Sequence, residues 1–218
     1  MTNEQFIEKT AKFVKTELFD ESSGHDWWHV CRVWQMSRKI CAIEGGDPLV
    51  VELTALLHDI SDYKLNGGDE LAAPRIARKW LTDLGVTDSV VLKVSDLMGS
   101  LGFLPVVGAM PPPIEGKIVL DADRLDAIGA IGIARAFAYG GFKGHAIYQP
   151  SEEPREYQNR SEYLTRSSSS VNHFYEKLLL LKDKMHTETA RQIATRRHRV
   201  LENYLEEFFR EWTGDDLR

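Results

Sequence analysis

The stretch DPLVVELTALLHD, residues 47–59, decides how this chain is read. Asp47 followed by Pro48 marks a helix start, with a side-chain oxygen to accept from the first free N–H groups and a ring whose fixed φ suits the first turn. Leu49, Leu53, Leu56 and Leu57 follow at helical spacing, so the segment predicts an apolar helix running directly into His58 and Asp59. A His and an Asp are costly to bury unless they are paired or bound to metal. Neighbours on a helix point about 100° apart, so both reach one ion only near a helix end or through the long imidazole. Taken alone, such a pair at an exposed helix end is an ordinary surface feature.

Two other stretches change the balance. Upstream, HDWWHVCRV (residues 25–33) opens a helix near Asp26 and carries His25 and His29 four positions apart, on one helical face. Downstream, DADRLDAIGAIGIARAF (residues 121–137) sets Asp121, Asp123 and Asp126 within an otherwise apolar helical pattern. Asp123 and Asp126 can share a face and Asp121 and Asp123 cannot. Carboxylates in such surroundings call for a cation, whether a metal or arginine. Gly129 and Gly132 weaken the helix and indicate close approach of another helix or a ligand. Two imidazoles and several carboxylates make a mixed N/O donor set poor in thiolate, suited to a divalent ion and unlike a structural zinc site.

Almost all of the remaining sequence reads as helix. Thr2 with Gln5 forms a capping box before Phe6, Ala11, Val14 and Leu18, and a Ser-Ser-Gly break at 22–24 ends that element. Helices are predicted over 69–84 and 88–98, with an irregular, proline- and glycine-rich connection over 99–113. A helical pattern then runs from Ile114 to about Tyr139. Residues 140–170 are polar and loop-like, which indicates a functional lid, with a short β-hairpin or a disordered insertion as alternatives. Strong helix returns from Val171 to Trp212, with Thr187 as an internal N-cap. The expectation is an all-α helical bundle forming a single domain over 1–218.

The chain has 218 residues, 43% of them hydrophobic, enough for one substantial core. Its formal charge is −6, which argues against specific or general nucleic-acid binding as the main role. The N-terminal MTNEQFIEKT has no apolar stretch of a secretory signal, and no apolar run reaches membrane-spanning length. Cys31 and Cys41 lie ten apart on one predicted helix and project in different directions, so they read as reduced thiols. A soluble cytoplasmic protein is expected, with no membrane partner. A C-terminal apolar stripe could pack within the chain or against a second copy in a homodimer.

With these motifs in view, the chain resembles the HD-domain metal-dependent phosphohydrolases, whose pattern is H…HD…D on a helical bundle. The strings HDWWHVCRV, LLHDISDYK (residues 56–64) and DADRLDAIGAIGIARAF are similar to those of the small bacterial subfamily of such hydrolases, and NHFYEKLLLLKDKMHTETARQIATRRHRVLENYLEEFFREW (residues 172–212) extends the likeness over almost the whole chain. The resemblance implies one divalent metal ion (Mn, Fe, Ni, Co, Zn or Mg) held by His29, His58, Asp59 and Asp123, the second acid of the Asp-x-Asp string. It also places Asp62, three residues after the His-Asp pair, as an acid/base group.

The resemblance further implies a phosphorylated small-molecule substrate, a nucleotide, cleaved by nucleoside triphosphate pyrophosphohydrolysis or phosphomonoester hydrolysis. Arg32, Lys64 and Arg124 are the nearest cations in sequence for the phosphate, and His25 is a further candidate to face it. Lys143, His145, Tyr148 and Arg160 lie on the segment that could close over a substrate. Trp27, Trp28 and Tyr148 are candidates to stack on a base, although aromatic residues in helices are more often core. Arg196, Arg197, His198 and Arg199 read as a solvated basic helix face, with a phosphate-facing surface as the alternative. The competing functional reading is a catalytically silent HD module that binds a nucleotide or metal in a regulatory role.

Overall fold

Side-chain caps set several of the helix starts among the described residues. Thr2 accepts from the Gln5 N–H while Gln5 reaches back, completing a capping box for α1 (Asn3–Glu17). Asp26 accepts from the His29 N–H at 2.9 Å and starts α2 (Trp27–Glu44). Asp47 accepts from Leu49 and Val50 and starts α3 (Pro48–Leu57). Thr187 caps the longest helix, Glu188–Thr213, through Ala190. Between these lie α4 (Ala72–Asp83), α5 (Asp88–Ser100), α6 (Ile114–Asp126), α7 (Gly129–Lys143) and the short α8 (Asn172–Glu176), which makes Glu188–Thr213 α9.

The structure, a computed structural model, describes residues 1–19, 26–60, 72–100, 112–155 and 168–215, and every regular element among them is helical. The all-α class read from the sequence is therefore what folds. Among the described residues no helix is long and apolar enough to cross a membrane. By packing, the chain divides after Asp123 into residues 1–123 and residues 124–218.

In the first unit α3 is central, packed against α1, α2 and α5. Val50, Val51, Leu53, Leu56 and Leu57 are all buried. Val50 and Val51 are poor helix formers, a penalty of a few tenths of a kcal/mol each. Burying the five side chains contributes on the order of 10 kcal/mol, so packing decides the helix. Polar clamps fix its flanks. Trp34 Nε1 of α2 donates to Glu52 Oε2 at 2.7 Å, Arg38 lies 3.3 Å from the same carboxylate, and the Asp47 N–H donates to Glu115 at the start of α6.

In the second unit α7 packs on α9. Phe137, Phe174 and Tyr204 form an aromatic cluster that continues through Phe208 to Tyr148 and Trp212. Tyr148 is therefore an edge-on packing residue here rather than an open platform for a base.

Three expected elements differ. The continuous helix from Ile114 to Tyr139 is broken: α6 ends at Asp126, and α7 starts at Gly129, whose φ is +75°. A Cβ at Gly132 would meet the Ala127 carbonyl at 2.2 Å, so the two glycines build a corner that the apolar pattern conceals. Second, α7 continues to Lys143, so residues 140–143 are helical and not loop. Among the described residues of 140–170 there is no β-hairpin. Residues 145–155 are instead tied to the 168–176 region, with Ser170 and Val171 donating to the Ala146 and Ile147 carbonyls and the Arg155 N–H donating to Glu176. Third, residues 178–184 form two short 3-10 turns rather than α-helix.

Candidate metal centre

Each member of the His/Asp set sits at a helix end. His29 is the third residue of α2, in its first turn, and its side chain is fully buried. His58 is the C-cap of α3, and Asp59 follows on the turn beyond it. This meets the requirement that adjacent residues face one ion only where a helix stops. Asp123 lies in the last turn of α6.

Their polar atoms converge. His29 Nε2 lies 3.3 Å from His58 Nε2, 3.2 Å from Asp59 Oδ2 and 3.4 Å from Asp123 Oδ1, and His58 Nε2 lies 3.4 Å from Asp59 Oδ2. Ligand bonds of about 2.1 Å put neighbouring donors roughly 3.0 Å apart around an octahedral ion and roughly 3.4 Å apart around a tetrahedral one. The observed edges match that range, and His29, His58 and Asp59 form a group able to hold a metal ion.

The donor chemistry fits as well. His58 Nδ1 is 2.8 Å from the Ala55 carbonyl. A carbonyl only accepts, so Nδ1 carries the proton and Nε2 turns a lone pair towards the cluster. The acceptor-only Asp59 carboxylate and at least one imidazole lone pair thus meet at one point, with the Asp123 carboxylate reaching His29 beside them, and a single His29 proton cannot satisfy them all. A cation can. Exposure is graded across the set, from 0% for the His29 side chain to 18% for Asp59 and 46% for Asp123, so the carboxylate side opens to solvent.

The three acids of residues 121–126 separate. Asp121 is fully buried, Asp126 is 4% exposed and pairs with Arg135 at 2.9 Å, and Asp123 faces His29. Arg135 was not singled out in the sequence as the partner of Asp126. Arg32, one turn beyond His29, is half-buried and engaged. Arg124 Nη1 donates to the Lys184 carbonyl at 2.6 Å, a structural contact the sequence did not signal. Lys143 is exposed, with its ammonium over the rings of Tyr139 and Phe142, and His145 packs edge-on against Tyr139. Trp27 packs against the core of the first unit, whereas Trp28 is exposed. His25, Asp62, Lys64 and Arg160 lie outside the described residues.

Comparison with known proteins agrees with this geometry. The HD domain family matches residues 27–128, the span that contains His29, His58, Asp59 and Asp123. The chain is 37% identical over 211 residues to protein YpgQ of Bacillus subtilis, covering 96% of this chain and 95% of that one. An HD-superfamily hydrolase from Bacillus thuringiensis superposes with a TM-score of 0.77 at 43% identity, covering 97% of this chain and 99% of that one. Bacillus subtilis YpgQ solved in complex with ADP superposes with a TM-score of 0.75 at 34% identity, over 94% and 97% of the two chains. The protein belongs to the HD-domain family, has the fold of its hydrolases, and carries a His/Asp cluster of the kind that family uses for metal.

Proposed function

We propose that the protein is a metal-dependent phosphohydrolase acting on a nucleotide, releasing pyrophosphate from a nucleoside triphosphate or phosphate from a nucleotide monoester. The observation that carries this reading is the convergence of two imidazoles and the Asp59 carboxylate at 3.2–3.4 Å, with Asp123 3.4 Å from His29 and a graded opening to solvent. The ADP held by YpgQ supports a nucleotide as the substrate class.

His29, His58, Asp59 and Asp123 would hold a divalent ion, which would supply Lewis acidity to activate water and polarise a phosphoryl oxygen. The chain's own groups do the remainder. The Ala55 carbonyl orients His58, and the Asp26 cap anchors the turn that carries His29. Asp59 and Asp123 balance the charge of the ion. Asp62 relays a proton, and Arg32 and Lys64 neutralise charge developing on the phosphate. Substrate contacts are assigned to His25, Arg124, Lys143 and His145. One N–H of Arg124 donates to the Lys184 carbonyl, which holds the guanidinium in place.

Metal analysis of the purified protein, followed by reconstitution with each of Mn²⁺, Fe²⁺, Ni²⁺, Co²⁺, Zn²⁺ and Mg²⁺, tests the site. A release assay across nucleoside tri-, di- and monophosphates, detecting phosphate and pyrophosphate separately, tests the chemistry. Stoichiometric metal with turnover is expected. Absence of metal after every reconstitution refutes the site, and bound metal and nucleotide without turnover favours the silent module.

A further inference from the structure

We propose that Arg197 is a positioning residue for the metal ligand Asp123, acting through the C-terminal turn of α6; this rests on the metal reading above. Asp123 is 46% exposed on its side chain, so packing does not fix it. Its placement depends on the register of the helix that carries it, and that helix ends three residues later, at Asp126. The last carbonyls of a helix have no intrahelical donor, and such ends fray unless capped.

The α6 end has no left-handed glycine cap of its own. Its last bonds are the backbone donations of Ala127 to Arg124 and of Ile128 to Leu125, at 3.2 and 3.3 Å. Arg197 of α9 adds a second, side-chain donor to the weakly held Leu125 carbonyl, its Nη1 reaching it across a separation of 72 residues. A guanidinium here also satisfies the negative end of the helix dipole. Gly129 makes the contact possible. A Cβ there would meet Cβ and Cγ of Arg197 at 3.1 Å, so the absence of a side chain leaves a channel along which the arginine stem reaches the α6 terminus. Of the basic run Arg196, Arg197, His198 and Arg199, Arg196 and Arg199 are exposed and Arg197 turns inward to this task.

The test compares Arg197→Met, which keeps the stem over Gly129 and removes the donor, with Arg197→Lys, which restores a cationic donor. Co²⁺ affinity is read by absorption titration in the wild-type and Asp123→Ala backgrounds, and hydrogen exchange is read over residues 118–128. Arg197→Met is expected to lose amide protection in that stretch and to weaken Co²⁺ binding by about tenfold or more. Arg197→Lys is expected to recover most of the affinity, and in the Asp123→Ala background the same change is expected to cost no more than about twofold. Unchanged exchange overturns the capping role. An undiminished loss of affinity in the Asp123→Ala background overturns action through Asp123. Wild-type protein that takes up no Co²⁺ overturns the metal reading itself and this one with it, whereas normal wild-type uptake matched by Arg197→Met overturns this one alone.

Discussion

Replacing Asp26 separates the support of the metal centre from the centre itself. The Asp26 carboxylate accepts from the backbone N–H of His29 at 2.9 Å, so one hydrogen bond both starts α2 and fixes the peptide that carries the first ligand. Loss of an N-cap side chain costs about 1 kcal/mol, within a range of roughly 0.5–2. The negative charge near a helix N-terminus is a few tenths of that. Asp26→Ala should therefore destabilise the chelated protein by about 1 kcal/mol, a fall in Tm of about 2–4 °C for a chain of this size. Asp26→Asn keeps an acceptor and should lose only a few tenths of a kcal/mol. Urea unfolding in the presence of a chelator gives the stability term, and Co²⁺ titration of the folded variants gives the effect on the ligand. Weakened Co²⁺ binding is expected for Ala and near-normal binding for Asn. Equal losses for the two variants would show that charge and not the cap bond matters, and an Ala variant as stable as wild type would refute the reasoning.

Other consequences are equally accessible. Metal at a free concentration of 100 times its Kd should stabilise the fold by about 2.7 kcal/mol, raising Tm by about 5–10 °C; a chelator should reverse the shift, His58→Ala should abolish it, and a Tm indifferent to metal would count against the site. Leu56 is fully buried in α3, so Leu56→Ala should cost about 2–5 kcal/mol by urea denaturation, whereas Leu92→Ala, at a position 48% exposed, should stay within about 0.5 kcal/mol. Comparable losses at the two positions would mean that α3 is not central. Burial, then the carboxylates of Glu115, Glu52 and Asp47, push the Cys41 thiol up. Cys41 should therefore resist iodoacetamide at pH 8 while the half-buried Cys31 reacts, a contrast peptide mass spectrometry reads directly. The linkage follows the same direction: with its folded-state pKa raised, Cys41 holds its proton after the unfolded chain has released it, so its contribution to stability is full below the ordinary thiol range and falls as pH rises through it.

What was legible in the sequence was what repeats or sits side by side. α3 could be read because its apolar spacing is regular, its cap is explicit and its end is marked by adjacent His58 and Asp59. The turn at 127–128 was hidden because apolar residues keep helical spacing straight through it, while the left-handed φ of Gly129 leaves no trace in an alanine- and glycine-rich string. The run Leu178-Leu179-Leu180-Leu181 fits any period. The structure takes the 3-10 option, burying Leu178 and Leu181 three apart and leaving Leu180 49% exposed. Contacts of charged side chains with distant backbone groups had no local signal at all. Asp47 with Glu115, and Leu125 with Arg197, are 68 and 72 residues apart.

The candidate site was readable for a related physical reason. Ligands that share one ion must escape the fixed angular spacing of a helix, and that is easiest at helix ends, which caps and chemistry mark in the sequence. His58 and Asp123 occupy the C-terminal ends of α3 and α6, where the unpaired carbonyls carry partial negative charge. Together with the Asp59 and Asp123 carboxyl groups, those ends surround the cluster with acceptors. A dication satisfies them, and an apolar or anionic occupant does not. The N-terminal turn of α2 brings the opposite polarity with His29, and the Asp26 carboxylate answers it at the His29 N–H. Two negative helix ends and a helix start already capped by a carboxylate make a setting that favours a cation, which is why the same few residues carry the proposed metal reading.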